Sequence, residues 1–89
     1  MKHLNIRVFG RVQMVMFRDS ARRKAGKLGL VGFVKNEKDG SVYIEAEGEA
    51  GELEEFVMWC RDGSPLARVE RVEAEEGVAK GFEGFEIRY

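Results

Sequence analysis

The chain is predicted to fold as an α+β sandwich, with two helices on one face of an antiparallel sheet. Three observations predict it. Short stretches alternate strictly between apolar and polar residues, two others carry apolar residues at helical spacing, and their order is β-α-β-β-α-β with a short closing strand.

Leu4, Ile6 and Val8 alternate with His3, Asn5 and Arg7, the pattern of a strand with one buried face. His3, beside the N-terminus, reads as a surface residue of that strand. A helix is predicted from Arg18 to Leu28, with Ala21, Ala25 and Leu28 on its inner face. Asp19 in its first turn and Lys27 in its last complement the helix dipole. Gly29 fits a left-handed C-terminal cap, with Leu30 folding back behind it. Arg22, Arg23 and Lys24 read as solvated helix surface. Leu30 to Asn36 is the second strand, and Asn36-Glu37-Lys38-Asp39-Gly40 is a hairpin loop with an Asp-Gly turn signal. Val42, Ile44 and Ala46 alternate with Tyr43, Glu45 and Glu47 in a third strand. Leu53, Phe56, Val57 and Cys60 mark a second helix, stopped by Gly63 and Pro65. Ala67 and Val69 share a phase that Val72 and Ala74 do not, so the fourth strand should bulge near Glu70. Gly77 to Gly81 reads as a loop, and Phe85, Ile87 and Tyr89 as the closing strand. This is the ferredoxin-like arrangement. It hosts many functions, so function must be read from residues.

Eighty-nine residues make a single domain, 1–89, without room for a second core, and a 44% hydrophobic content is enough to build one. No stretch resembles a signal peptide, and no apolar run approaches the roughly 20 residues that cross a bilayer. Cys60 is the lone cysteine, expected as a buried inert thiol, and the simplest location is a reduced cytoplasm. Residues 1–38 carry ten Lys/Arg against two Asp/Glu, and residues 39–89 five against fourteen, for a net charge of −1. A basic first half can attract a small anion, but interleaved halves would neutralise most of these charges. A nucleic-acid binder would carry a larger basic excess. The 35% charged content, the absence of Thr and the scarcity of amides match the bias of heat-adapted proteins. Two of those scarce amides, Gln13 and Asn36, fall in the segments that carry chemistry.

Much chemistry is excluded. His3 is the sole histidine and no Cys/His cluster exists, which argues against zinc. Ser20, Ser41 and Ser64 lack a histidine to activate them. Glu52, Glu54 and Glu55 read as a solvated face, and neither a P-loop nor a dinucleotide-binding glycine pattern is present. What remains is Gly10–Arg18, GRVQMVMFR, a loop entering a helix N-terminus. Such a loop offers unpaired N–H groups and the positive end of a dipole. Arg18 adds a planar fork for two oxygens, and Asn36, at the end of the next strand, can hold a water in line. Phosphoryl transfer suits a catalyst of this kind, and a carboxylate leaving group requires no general acid. Taken singly, Arg18 could pair with Asp19 or Glu37, and Asn36 could cap its hairpin. Their joint placement favours the site.

These segments resemble the acylphosphatase family, whose pattern is G-x-V-Q-G-V-x-F-R, then L-G-L-x-G-x-V-x-N, then D-G-x-V. Gly10, Val12, Gln13, Val15, Phe17 and Arg18 match the first block; Leu28, Gly29, Leu30, Gly32, Val34 and Asn36 the second; Asp39, Gly40 and Val42 the third. Gly63-Ser64-Pro65, Ala67, Val69 and Phe85 echo the remainder. The resemblance implies hydrolysis of the carboxyl–phosphate bond of small acyl phosphates. It also implies a backbone N–H cradle at Gln13, Met14, Val15, Met16 and Phe17, with Arg18 binding phosphate and Asn36 orienting water. No metal or cofactor would be needed. The partners would be an acyl phosphate or inorganic phosphate, with a monomer expected and neither nucleic acid nor membrane.

Met14 departs from the family glycine. If that position needs φ > 0, methionine there costs on the order of 1–2 kcal/mol, and its side chain stands near the anion. Met16 raises less concern, and Gly63-Ser64-Pro65 reads as remote from the site. The alternative is a non-catalytic anion-binding module with the same cradle, its activity impaired by Met14. A third reading, single-stranded RNA stacked on Phe9, Phe33 and Tyr43, ranks below these because Glu45 and Glu47 share that face. Met58 and Trp59 read as either core edge or contact surface.

Overall fold

The computed structural model describes residues 1–89. Its elements are β1 (Lys2–Arg11), α1 (Phe17–Lys27), β2 (Val31–Asn36), β3 (Val42–Gly48), α2 (Ala50–Asp62), β4 (Arg68–Gly77) and β5 (Phe85–Arg88). They form one five-stranded sheet in the order β4-β1-β3-β2-β5. Alternation sends Ile6, Val8, Val34, Val42, Ile44 and Ala46 to one face, where Ala21, Ala25, Leu53, Phe56 and Cys60 of the helices complete the core. Cys60 is fully buried there and burial pushes its thiol pKa up, as expected of an inert cysteine.

The end of β1 sets where the loop into α1 leaves the sheet. Phe9 pairs with Arg71 but Gly10 with Val69, so Glu70 is the extra residue of a bulge, where the change of phase had placed it. Gly10 has φ +126°, and a Cβ there would stand 2.2 Å from the Arg68 carbonyl oxygen. Only glycine allows the backbones to approach so closely while the chain bends off the sheet. Farther along, α1 closes through the Leu30 N–H on the Ala25 carbonyl at 2.9 Å, with Gly29 at φ 71°.

Two expectations need correction. The sheet is mixed, not wholly antiparallel, because β5 runs parallel to β2. After β4, at one edge, the chain crosses to the opposite edge and enters alongside β2 in the same direction. His3 is not a surface residue, for the same reason. The crossing segment runs over the sheet face opposite the helices and covers it, leaving His3 only 2% exposed. Its Nδ1 lies 2.7 Å from Glu47 Oε2, and its ring stacks with Phe82. Phe33 is also buried there, against Phe82 and beneath the Arg88 guanidinium, so it is closed to a stacking base. The helices themselves match expectation in place, and α2, Ala50–Asp62, buries Leu53, Phe56 and Cys60. No helix is long and apolar enough to cross a membrane.

Glu47 fastens the crossing segment and is itself fully buried. Burial pushes its carboxyl pKa up, but hydrogen bonds from the Lys80 N–H, the His3 ring and the Gly81 N–H outweigh this, leaving it below its ordinary value of 4.5. A depressed carboxyl contributes stability above the unfolded value and loses it as pH falls through the folded one. Thermal melts should therefore show Tm falling as pH drops below about 4.5. Glu47→Gln should melt lower than the parent at pH 6 and show a shallower acid decline. An equal decline in both chains would contradict this role.

Candidate active site

Residues 12–16 carry the chain from the β1 bulge into α1 with its side chains alternately in and out. Val12, Val15 and Phe17 are buried, Phe17 against Trp59 at 5.2 Å, whereas Met14 and Met16 are exposed. The backbone alternates too. Met14 (φ 62°) and Met16 (φ 65°) are left-handed, while Gln13, Val15 and Phe17 keep negative φ. Such alternation aims successive N–H groups into one concavity. The N–H groups of residues 13–19 donate to no protein acceptor. The positive φ that would strain a methionine at position 14 is present, and Met16 shares it.

The loop is held from behind. Ser64 is buried and its hydroxyl donates to the Val15 carbonyl at 2.7 Å. The Ser20 N–H donates to the Met16 carbonyl at 3.1 Å. In a trans peptide the C=O and the following N–H point in opposite directions, so both bonds turn the N–H groups of Met16 and Phe17 outward. Ser64 is therefore not remote from the site, which corrects the sequence reading. Its partner lies 49 residues away, and no local pattern shows that. Gln13 plays a part the sequence did not show either. Its amide donates to the carbonyls of Glu37 (2.7 Å) and Ser41 (2.9 Å), tying the loop to the β2–β3 hairpin.

That tie brings the two predicted side chains together. Arg18 and Asn36 line one cleft with Val12, Met14, Met16, Phe17, Asp19, Ile87 and Tyr89. Arg18 forms no ion pair. Asp19 is engaged by Arg22 and Arg23, and Glu37 by Lys35 at 3.6 Å, so the pairings that could have explained Arg18 away are not made. Its guanidinium instead lies 4.8 Å from the Tyr89 ring centroid. Asn36 Oδ1 is buried and accepts no hydrogen bond. It is the only buried side-chain polar atom in the protein without a partner, in a fold where almost all such atoms are satisfied. No three His, Cys, Asp or Glu side chains converge as a metal-ligand set. Free amides and a planar cation, with the Asn36 carboxamide in the wall beside them, can together hold a tetrahedral oxyanion and a water.

Fold and cleft define a ferredoxin-like α+β sandwich with an amide-lined turn after its first strand. The chain belongs to the acylphosphatase family, whose sequence model matches residues 4–87. It is 52% identical over 88 residues to an acylphosphatase of Rubrobacter xylanophilus, covering 98% of this chain and 80% of that one. It is 47% identical to an acylphosphatase of Thermotoga maritima, covering 100% and 99%. Its structure superposes on the crystal structure of acylphosphatase from Bacillus subtilis with a TM-score of 0.97, at 40% identity and full coverage of both chains.

Two substitutions test how the turn is held. Met14→Gly should relieve the left-handed strain and raise Tm by about 4–8 °C, the equivalent of roughly 1 kcal/mol in a domain of this size. Ser64→Ala leaves the buried Val15 carbonyl unpaired and should cost about 1–3 kcal/mol by denaturant titration. It should also weaken inorganic phosphate binding. Unchanged phosphate affinity in Ser64→Ala would show that the hydroxyl does not shape the turn.

Proposed function

We propose that residues 1–89 act as one metal-independent unit that hydrolyses the carboxyl–phosphate bond of small acyl phosphates by in-line attack of water. The observation that carries this is that Asn36 lines the same cleft as an Arg18 that pairs with no carboxylate. The N–H groups of residues 13–17 and the Arg18 fork hold the non-bridging phosphate oxygens. They stabilise the charge that spreads over those oxygens as the bond opens. The Asn36 carboxamide, at the cleft wall, binds the attacking water and directs its lone pair at phosphorus. A water oxygen–phosphorus bond forms and the bond from phosphorus to the acyl oxygen breaks. The products are a carboxylate and dihydrogen phosphate, which keeps both protons of the water. The leaving carboxylate is a weak base, so no general acid is required, and no histidine or acidic dyad lines the cleft.

The same cradle without turnover would be a phosphate-binding module, its activity impaired by the left-handed Met14 in the turn. For the chain in the cell, a monomer in the cytoplasm is the arrangement we favour, with a composition suited to high temperature. The deciding assay measures benzoyl phosphate hydrolysis. The parent chain should turn over in buffers containing EDTA. Arg18→Ala should lose about 10³-fold or more in kcat/KM, and Asn36→Ala about 10²–10³-fold. Absence of hydrolysis by both the parent and Met14→Gly, with phosphate still bound, would leave the binding module as the function.

A further inference from the structure

The chain has seven exposed large hydrophobic side chains, and three of them, Met14 (100%), Met16 (62%) and Tyr89 (98%), gather at the mouth of the Arg18–Asn36 cleft. Ile87 completes the apolar wall. Little that is polar remains there to read a substrate beyond its phosphate. The carboxylate of Asp19 is engaged by Arg22 and Arg23, and Gln13 is committed to two carbonyls of the hairpin. A substrate bound through its phosphate is joined to its acyl carbon by a single bridging oxygen, so the acyl group must leave the cradle past this rim.

We infer that Met14, Met16, Ile87 and Tyr89 form the acyl subsite, selecting aromatic and bulky aliphatic acyl phosphates over acetyl phosphate, with Met14 as the residue that sets the preference. This rests on the proposed hydrolysis of acyl phosphates. Met14 has a left-handed backbone whose N–H donates to no protein acceptor, and a side chain that is wholly exposed. One residue thus offers a donor to the phosphate and an apolar surface to what is attached to it. Strained backbone held at a ligand site is commonly retained for such a use. A thioether chain is flexible and polarizable, and contacts aromatic rings well. Tyr89, lying over Arg18, presents an aromatic ring beside the cation that takes the phosphate. An open apolar rim discriminates by size rather than by chemical identity, at about fourfold per buried methylene.

The test measures binding and turnover separately on the parent, Met14→Gly and Met14→Asn. Asparagine tolerates the left-handed conformation without supplying an apolar chain. Dissociation constants are measured for inorganic phosphate, methylphosphonate and benzylphosphonate, and kcat/KM for acetyl and benzoyl phosphate. In the parent, benzylphosphonate should bind about tenfold more tightly than methylphosphonate. That ratio should shrink at least about threefold in both variants, whatever happens to phosphate itself. The benzoyl-to-acetyl ratio of kcat/KM should shrink with it. Phosphonate ratios that stay the same in all three chains would overturn the subsite. Retained ratios with no turnover of either acyl phosphate would also overturn it as a selector. A ratio that shrinks as expected without turnover would instead support the subsite and reject hydrolysis.

Discussion

A peptide group carries its donor and acceptor on opposite sides, and the turn after β1 depends on that constraint. The carbonyls of Val15 and Met16 are taken by Ser64 and by the first turn of α1, so the N–H groups behind them face away from the protein. The glycine at the β1–β4 bulge, the buried valines and phenylalanine of the loop, and the Gln13 bridge to the hairpin all serve this orientation. They fix where the turn lies and which way it faces. Without it, Arg18 would be an ordinary cation at a helix end.

The arrangement works against intrinsic preference at two positions. Met14 and Met16 both adopt a conformation that favours glycine, at a cost on the order of 1–2 kcal/mol each. For a domain of this size that is a sizeable share of its stability. The core offsets it, and so does the fastening of the crossing segment by Glu47, which converts a buried carboxylate into an acceptor for several N–H groups. Strain at the site and tight fastening elsewhere are complementary parts of one structure.

Legibility in the sequence tracked the range of the interaction. Strands and helices could be read from local periodicity, and even the bulge at Glu70 showed as a change of phase between Val69 and Val72. Arg18 and Asn36 could be singled out because one opens a helix and the other ends a strand, downstream of Gly10 and of Leu28-Gly29-Leu30 respectively. Contacts made across the fold left no such trace. Ser64 looked remote because nothing near it in the chain points to Val15. His3 looked exposed because the segment that covers it comes from the other end of the chain. The direction of β5 depended on that crossing as well. Gln13 was noticed only as a scarce residue type, since an amide reaching two carbonyls on another hairpin has no sequence pattern.

The most direct test of the central claim is a phosphate titration monitored by backbone amide NMR. If the turn is a cradle of outward-facing donors, the amide resonances of residues 13–18 should move most and saturate together with the Arg18 side-chain N–H. Saturating shifts centred on another part of the surface, or amides of Val15 to Phe17 that stay still while phosphate binds, would contradict it.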